Sequence, residues 1–257
     1  IQHWPGASVM ISLSALVTVV VFIPLLFIQA IRDKERQVQH FTVLIFMLCL
    51  VAITFMVYAL RVSKNVLTAF SIAAEGNIAS TDMFEVRNAA YLDRLENTQG
   101  TPEETLQIAR EIRDRTNDLH GFIQDMIMEM VLGSGDENQV SFDRDGNIDF
   151  DRVDNKDGTY IVKLVIFGEE GIPGRGDELV SRIQAYHAFL NGLADPATES
   201  WIDKLLDTRR RGDYSWLEHC FLQTPMIGAV NVLTSYQSNI RIAEAELLDR
   251  LADEPAK

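Results

Sequence analysis

The chain has 257 residues, 37 acidic against 23 basic, for a formal net charge of −14, and it carries only two cysteines. An acidic balance of that size excludes nucleic acid as a partner, because phosphate binding needs clustered Lys and Arg. Cys49 and Cys220 fall in regions of different character, so a disulfide framework within one chain is excluded as well.

The chain opens on the corner His3-Trp4-Pro5-Gly6, with Trp4 suited to a lipid interface. From Ile1 to Ile31 there is no Asp, Glu, Lys or Arg, and a second uncharged run covers the twenty residues Phe41 to Leu60. At about 1.5 Å per helical residue, that run spans a hydrocarbon core of about 30 Å. Two transmembrane helices are predicted, over about 7–31 and 41–60, joined by the loop 32–40. A signal peptide fits poorly, since the first run has no basic start and a second follows at once. Pro24 is tolerated in a membrane helix and predicts a bend there. Residues 1–60 carry a net charge of +1, so the total of −14 leaves −15 on residues 61–257. The positive-inside rule then places the loop 32–40 in the cytoplasm and sends the acidic remainder across the membrane. The polar candidates for contact with membrane partners are Thr18 on the first span and Thr54 and Tyr58 on the second.

After the second span no breaker precedes Gly76, and Val62, Val66, Ala69, Phe70 and Ala73 keep helical spacing. Arg61, Ser63, Lys64 and Val66 are therefore expected on a coupling helix that enters the next domain without a hinge. A continuous helix transmits tilt or rotation where a Gly/Ser linker does not. Thr101-Pro102-Glu103-Glu104 predicts a helix start with Thr101 at N-cap and a capping box. Leu106, Ala109, Ile112, Leu119, Ile123, Ile127 and Met130 share its apolar face, and Gly133 and Gly135 stop it. Met126, Met128 and Met130 are expected in the core. The alternation at Asn147–Val153, the turn residues 154–158 and the apolar run Thr159–Phe167 predict a β-hairpin over about 147–167. Helices resume with Leu179, Ile183, Tyr186, Leu190 and Leu193 on one face. A last long helix carries Met226, Val230, Leu233, Tyr236, Ile240, Ala243, Leu247 and Leu251. Residues 61–252 thus read as one mainly α domain, an antiparallel helical bundle with crossover connections and an inserted hairpin.

No catalytic or cofactor motif is found: no nucleophile elbow, no phosphate-binding glycine loop and no zinc-protease helix. Asp143-Arg144-Asp145-Gly146-Asn147-Ile148-Asp149 echoes a calcium loop, but that register puts Ser141 first and Arg152 twelfth, where carboxylates are needed. The five histidines are scattered, and Arg209-Arg210-Arg211 reads as a solvated helix end or as paired with an acidic neighbour. The chain is expected not to be an enzyme and to need no cofactor.

The run Ala59-Leu60-Arg61-Val62-Ser63-Lys64-Asn65-Val66-Leu67-Thr68-Ala69-Phe70 resembles the membrane exit of the GldM (PorM) family, which reads A-L-N-V-S-K-E-V-L-x-A-F there. The resemblance continues at Arg87-Asn88-Ala89-Ala90, at Gly176-Asp177-Glu178-Leu179 and at Ile183-Gln184-Ala185-Tyr186-His187-Ala188-Phe189-Leu190. It ends on Thr224-Pro225-Met226-Ile227-Gly228-Ala229-Val230, Gln237-Ser238-Asn239-Ile240-Arg241 and Ala243-Glu244-Ala245-Glu246-Leu247-Leu248. The corner at His3 resembles that of GldL, the membrane partner of GldM.

The resemblance implies an inner-membrane component of the proton-driven motor for type IX secretion and gliding, its acidic domain 61–252 periplasmic. It implies a homodimer seated among GldL-like membrane subunits and facing outer periplasmic secretion components. It also implies a further helix before Ile1, which would make three spans, and a linker at 253–257 leading to further domains. Val43 or Leu44 stands where the family carries a membrane arginine, and Val17-Thr18-Val19 where GldL carries a glutamate. A proton-carrying group must then belong to another chain. The alternative reading is a membrane-anchored periplasmic sensor or scaffold without motor activity.

Overall fold

The computed structural model describes residues 14, 16–34, 36–59, 64–135, 141–142 and 147–253, with backbone alone at 30 and 54–59. Contacts divide the chain into two compact units, Ile1–Val62 and Ser63–Lys257.

In the first unit a π-turn, Thr18–Phe22, runs directly into α1, Ile23–Arg32. Pro24 has no N–H to return along the helix, and the backbone widens just ahead of it. The N–H of Ile23 reaches five residues back to the carbonyl of Thr18. The bend expected at Pro24 therefore takes the form of a π-turn. Asp33 ends α1, accepts the N–H of Arg36 (3.3 Å) and lies 3.5 Å from His40. α2, Gln37–Ala59, packs on α1. Most apolar side chains of both helices face outward, Val20, Ile28, Phe46 and Ile53 among them, while Leu44 is buried. Among the described residues, whose side chains in α2 end at Ile53, no helix is long and apolar enough to cross a membrane.

The second unit is a helical body. Its elements are α3 (Lys64–Asn97), α4 (Glu103–Gly133), α5 (Tyr160–Phe167), β1 (Gly168–Glu169) and β2 (Ile172–Pro173). They are followed by α6 (Gly176–Asn191), α7 (Pro196–Leu205), α8 (Trp216–Phe221) and α9 (Met226–Asp253). α9 is the central rod, with apolar residues buried from Met226 to Leu248. Its first two N–H groups, which have no partner within the helix, donate to the carbonyls of Gly158 (2.8 Å) and Lys156 (3.1 Å). The turn predicted at 154–158 supplies them, with Asn155 at a positive φ of 49°.

The bundle is not antiparallel throughout, which corrects the expected architecture. Asn77 meets Asn231 and Thr234, Ser80 meets Ser238, Asn88 meets Arg241 and Glu244, and Arg94 reaches Asp253. Residue numbers rise together, so α3 and α9 run parallel. α4 opposes both: Gln124 meets Gln237, Asn117 meets Arg241, Arg113 meets Glu244 and Glu85, and Arg110 meets Glu96. α6 in turn opposes α4, with Arg175, Arg182 and Tyr186 against Glu129, Asp118 and Thr116. The crossover through α7 and α8 returns the chain to the starting end, which makes the parallel pair possible.

Two further expectations are corrected. The hairpin over 147–167 does not form. Thr159–Phe167 holds helix α5, because Ile161, Val162, Val165 and Ile166 fall together at helical spacing and are all buried, leaving Lys163 outside. A strand would have set Lys163 on the same face as Ile161 and Val165. Of the first arm only the isolated bridge Phe142–Ile148 remains, and the named antiparallel pair is β1–β2, Gly168 opposite Pro173. The capping box at Thr101 is also absent. Pro102 takes the cap position with extended backbone and has no N–H for the reciprocal bond, while the Thr101 hydroxyl donates to the carbonyl of Thr98 (2.9 Å).

A capping box does form at α8, where Ser215 Oγ accepts the Glu218 N–H (3.2 Å) and Glu218 Oε2 accepts the Ser215 N–H (2.7 Å). It anchors Trp216, whose ring meets Phe221 and Tyr236 edge-on at 5.6 and 5.0 Å. Ser215→Ala is expected to cost about 1 kcal/mol, read as a lower urea midpoint at unchanged slope.

Candidate functional site

Along α9, Gln237, Arg241 and Glu244 keep the three- and four-residue steps of Leu233, Ile240 and Leu247, so the helix carries them inward with its apolar face. Arg241 is 2% exposed and Glu244 is fully buried. Charges so placed require partners, since a bare buried ion costs several kcal/mol. The Arg241 guanidinium donates through Nη1 to Asn117 Oδ1 (2.9 Å) and Glu244 Oε2 (3.1 Å), and through Nη2 to Glu85 Oε2 (3.3 Å). Glu244 Oε2 also accepts from Asn88 Nδ2 (2.7 Å), and its Oε1 faces Arg113 Nη1 (3.4 Å). Asn88 donates as well to the backbone carbonyl of Arg241 (2.9 Å).

Three helices thus meet on two cations and two anions. Burial pushes the Glu244 carboxyl above the usual range, against the opposing pull of Arg241, Asn88 and Arg113. Two buried atoms, Asn88 Oδ1 and Arg241 Nε, have no hydrogen-bond partner among the described residues. Sliding α9 by one turn along α3 would strand these charges, so the cluster fixes the register of the parallel pair.

Beside the cluster a cleft of about 430 Å³ is lined by Glu75, Thr81, Asp82, His120, Gln124 and Gln237. Gln237 donates to Gln124 Oε1 (3.0 Å) on its wall. Burial and the Arg241 charge bring the His120 imidazole down to about 4, which leaves it neutral at pH 7. A base whose folded pKa is depressed contributes stability above its unfolded pKa and loses it as pH falls toward the folded value. Unfolding free energy should therefore decline between pH 6.5 and 4, and His120→Gln should flatten that part of the profile; an unchanged profile would refute the assignment to His120.

The residues singled out from sequence lie elsewhere. His3, Trp4, Pro5, Gly6, Arg61 and Ser63 fall outside the described residues, and so does the junction 60–63 on which the coupling helix depends. The hydroxyl of Thr18 donates to the Ser14 carbonyl (2.8 Å) within its own helix. Thr54 and Tyr58 lie on α2, described there by backbone alone. Lys64 opens α3, exposed, and Val66 follows it, also exposed. Met126 and Met130 are fully buried, as expected of core residues, while Met128 is only half-buried. Arg209 pairs with Asp207 (2.8 Å), and Arg210 donates to the Asp213 carbonyl. In the Asp-rich loop Arg152 pairs with Asp149 (3.0 Å), so the twelfth position is a cation bound to its own neighbour. Cys49 and Cys220 are free, and burial pushes the Cys220 thiol up. Among the described residues no group of three or more His, Cys, Asp or Glu is placed to hold a metal ion.

Sequence reasoning passed over the charge cluster, although polar side chains at core positions of a long helix were its visible signal. Asn88, Gln237, Arg241 and Glu244 all belong to the segments that carried the family resemblance. Residues 65–254 match the family model of the GldM N-terminal domain, a span that includes the whole cluster and excludes the corner at His3. No curated protein matches the chain.

Proposed function

The chain belongs to the GldM family, of gliding-motility and type IX secretion components, and from that premise we propose that it is the inner-membrane element of a proton-driven motor. In this reading α1 and α2 lie in the bacterial inner membrane and the unit from Ser63 onward lies in the periplasm. The uncharged runs 1–31 and 41–60, the basic loop between them and the 23-residue length of α2 support that placement. The outward-facing apolar side chains of α1 and α2 support it too, since a helix apolar all round needs an apolar solvent.

Two copies would sit among GldL-like membrane subunits, with Thr18, Thr54 and Tyr58 as contact candidates. Motion at the membrane would pass through Arg61, Ser63, Lys64 and Val66 into α3, and from the bundle to outer periplasmic components. No Asp, Glu, Lys or Arg occurs in the two uncharged runs, so the proton-carrying group is assigned to the partner. The observation that carries the proposal is the match over 65–254.

Native mass spectrometry of the membrane complex tests it: the chain should co-purify with a ring-forming subunit bearing an intramembrane Glu. The absence of charges from both runs favours a second reading, a membrane-anchored scaffold or sensor. Proton uptake by the purified complex, compared between wild type and Thr18 or Tyr58 variants, separates the two. A complex that never couples to a proton gradient leaves the scaffold.

A further inference from the structure

α3 has two faces. One packs into its own bundle through Ser71, Ala74, Thr81, Asn88 and Leu95. On the other, Ala69, Ile72, Gly76, Ala79, Met83 and Val86 recur in alternating steps of three and four, and the stripe closes on Ala90. All are exposed, Ile72 by 62%, Met83 by 61% and Val86 by 73%. A lone exposed apolar residue needs no explanation, whereas a heptad-spaced stripe about 33 Å long is a helix-pairing seam. Asn65 and Asp93 bound it at the two ends.

The flanks of the stripe decide the occupant. On one side stand Glu75 and Asp82, on the other Arg87 and Arg94, the g and e positions of the same heptads. In a parallel, in-register pair, each g residue faces the e residue five positions on in the other helix. Asp82 of one copy then faces Arg87 of the second, and the two-fold axis repeats the pair. An antiparallel pair centred on the stripe would instead set Glu75 of one copy against Asp82 of the other, acid against acid. Asp82 and Arg87 are both exposed, and Asp82 makes no ion pair among the described residues. The small residues Ala69, Gly76, Ala79 and Ala90 allow the two backbones to approach closely.

We propose that this outward face of α3 is a self-association seam, along which two copies of the chain pair parallel and in register. The proposal rests on the dimer reading given above and adds its surface and orientation. The parallel direction also suits two chains entering from one membrane.

The test uses the full chain with Cys49→Ala and Cys220→Ala, carrying either Ile72→Cys or Val86→Cys. Both positions lie far from the middle of the stripe and face their own equivalents only in a parallel pair, near the Cα separation a disulfide needs. Mild oxidation should link each variant to itself, and Lys163→Cys, exposed on α5, should stay monomeric. Asp82→Arg should weaken dimerisation about tenfold in sedimentation, and adding Arg87→Asp should restore it. Thermal melts of these exposed-site variants report that the fold is intact. If the chain dimerises but neither cysteine links to itself, the parallel seam is overturned and the dimer reading survives. A chain that stays monomeric at every concentration overturns both.

Discussion

Glu244→Ala is expected to lower the unfolding free energy of the helical unit by about 3–5 kcal/mol, the usual cost of stranding a buried charge. Truncation leaves Arg241, with 3% of its side chain exposed, and Arg113, with 17%, facing each other across the vacated anion site. It also removes the acceptor for Asn88 Nδ2. With about 2–4 °C lost per kcal/mol for a domain of this size, the melting point should fall by about 10 °C. Differential scanning calorimetry or far-UV dichroism reads this directly. A companion variant separates pairing from packing. Arg241→Met together with Glu244→Leu removes both charges at similar volume and should retain most of the lost stability. If the single and double variants lose equally, the cluster acts through packing and not through charge.

Ala73→Pro should cost about 3 kcal/mol or more and abolish transmission through α3. The side chain at 73 is exposed, so no core packing is lost with it. What changes is the backbone: proline removes the N–H that returns to Ala69, and its ring crowds that carbonyl. The break falls one residue before the fully buried Ala74, within the stretch where Leu67, Phe70 and Ala74 pack on the core. Ala73→Ser keeps the helix and serves as the control. In a gliding or secretion assay the proline variant should be inactive while still inserted in the membrane. Full activity would count against α3 as a rigid coupling element.

Much of the helical framework was legible from local pattern. The face through Ala109, Ile112, Leu119, Ile123, Ile127 and Met130 is buried as the spacing required, and Gly133 does end α4. Leu179, Ile183, Tyr186 and Leu190 are buried in the same way, though Leu193 is exposed. So are Met226, Val230, Leu233, Ile240, Ala243 and Leu247, with Tyr236 and Leu251 half-buried. The turn at 154–158 followed from its Asp, Asn and Gly content, though not its role in capping α9. Ordered motifs spread from Ala59 to Leu248 carried the family, because each was short but their order was not accidental.

Tertiary structure decided the rest. Tyr160–Phe167 is apolar at both period two and period 3.6, so its neighbours chose helix over strand by burying Ile161, Val162, Val165 and Ile166 together. The parallel pairing of α3 with α9 depends on where a crossover of more than ninety residues returns, which no local pattern states. α3 hides both of its seams from a periodicity search, since apolar residues on opposite faces cancel and no single stripe stands out. Arg241 and Glu244 are ordinary helix residues in the sequence and become a register lock only when Asn88, Arg113 and Glu85 converge on them from two other helices. The sequence by itself determined the long amphipathic helices and the family they belong to, because those depend on neighbours a few residues away. Which faces meet, and which charges must therefore pair, depends on residues more than a hundred positions apart, and only the folded chain brings those together.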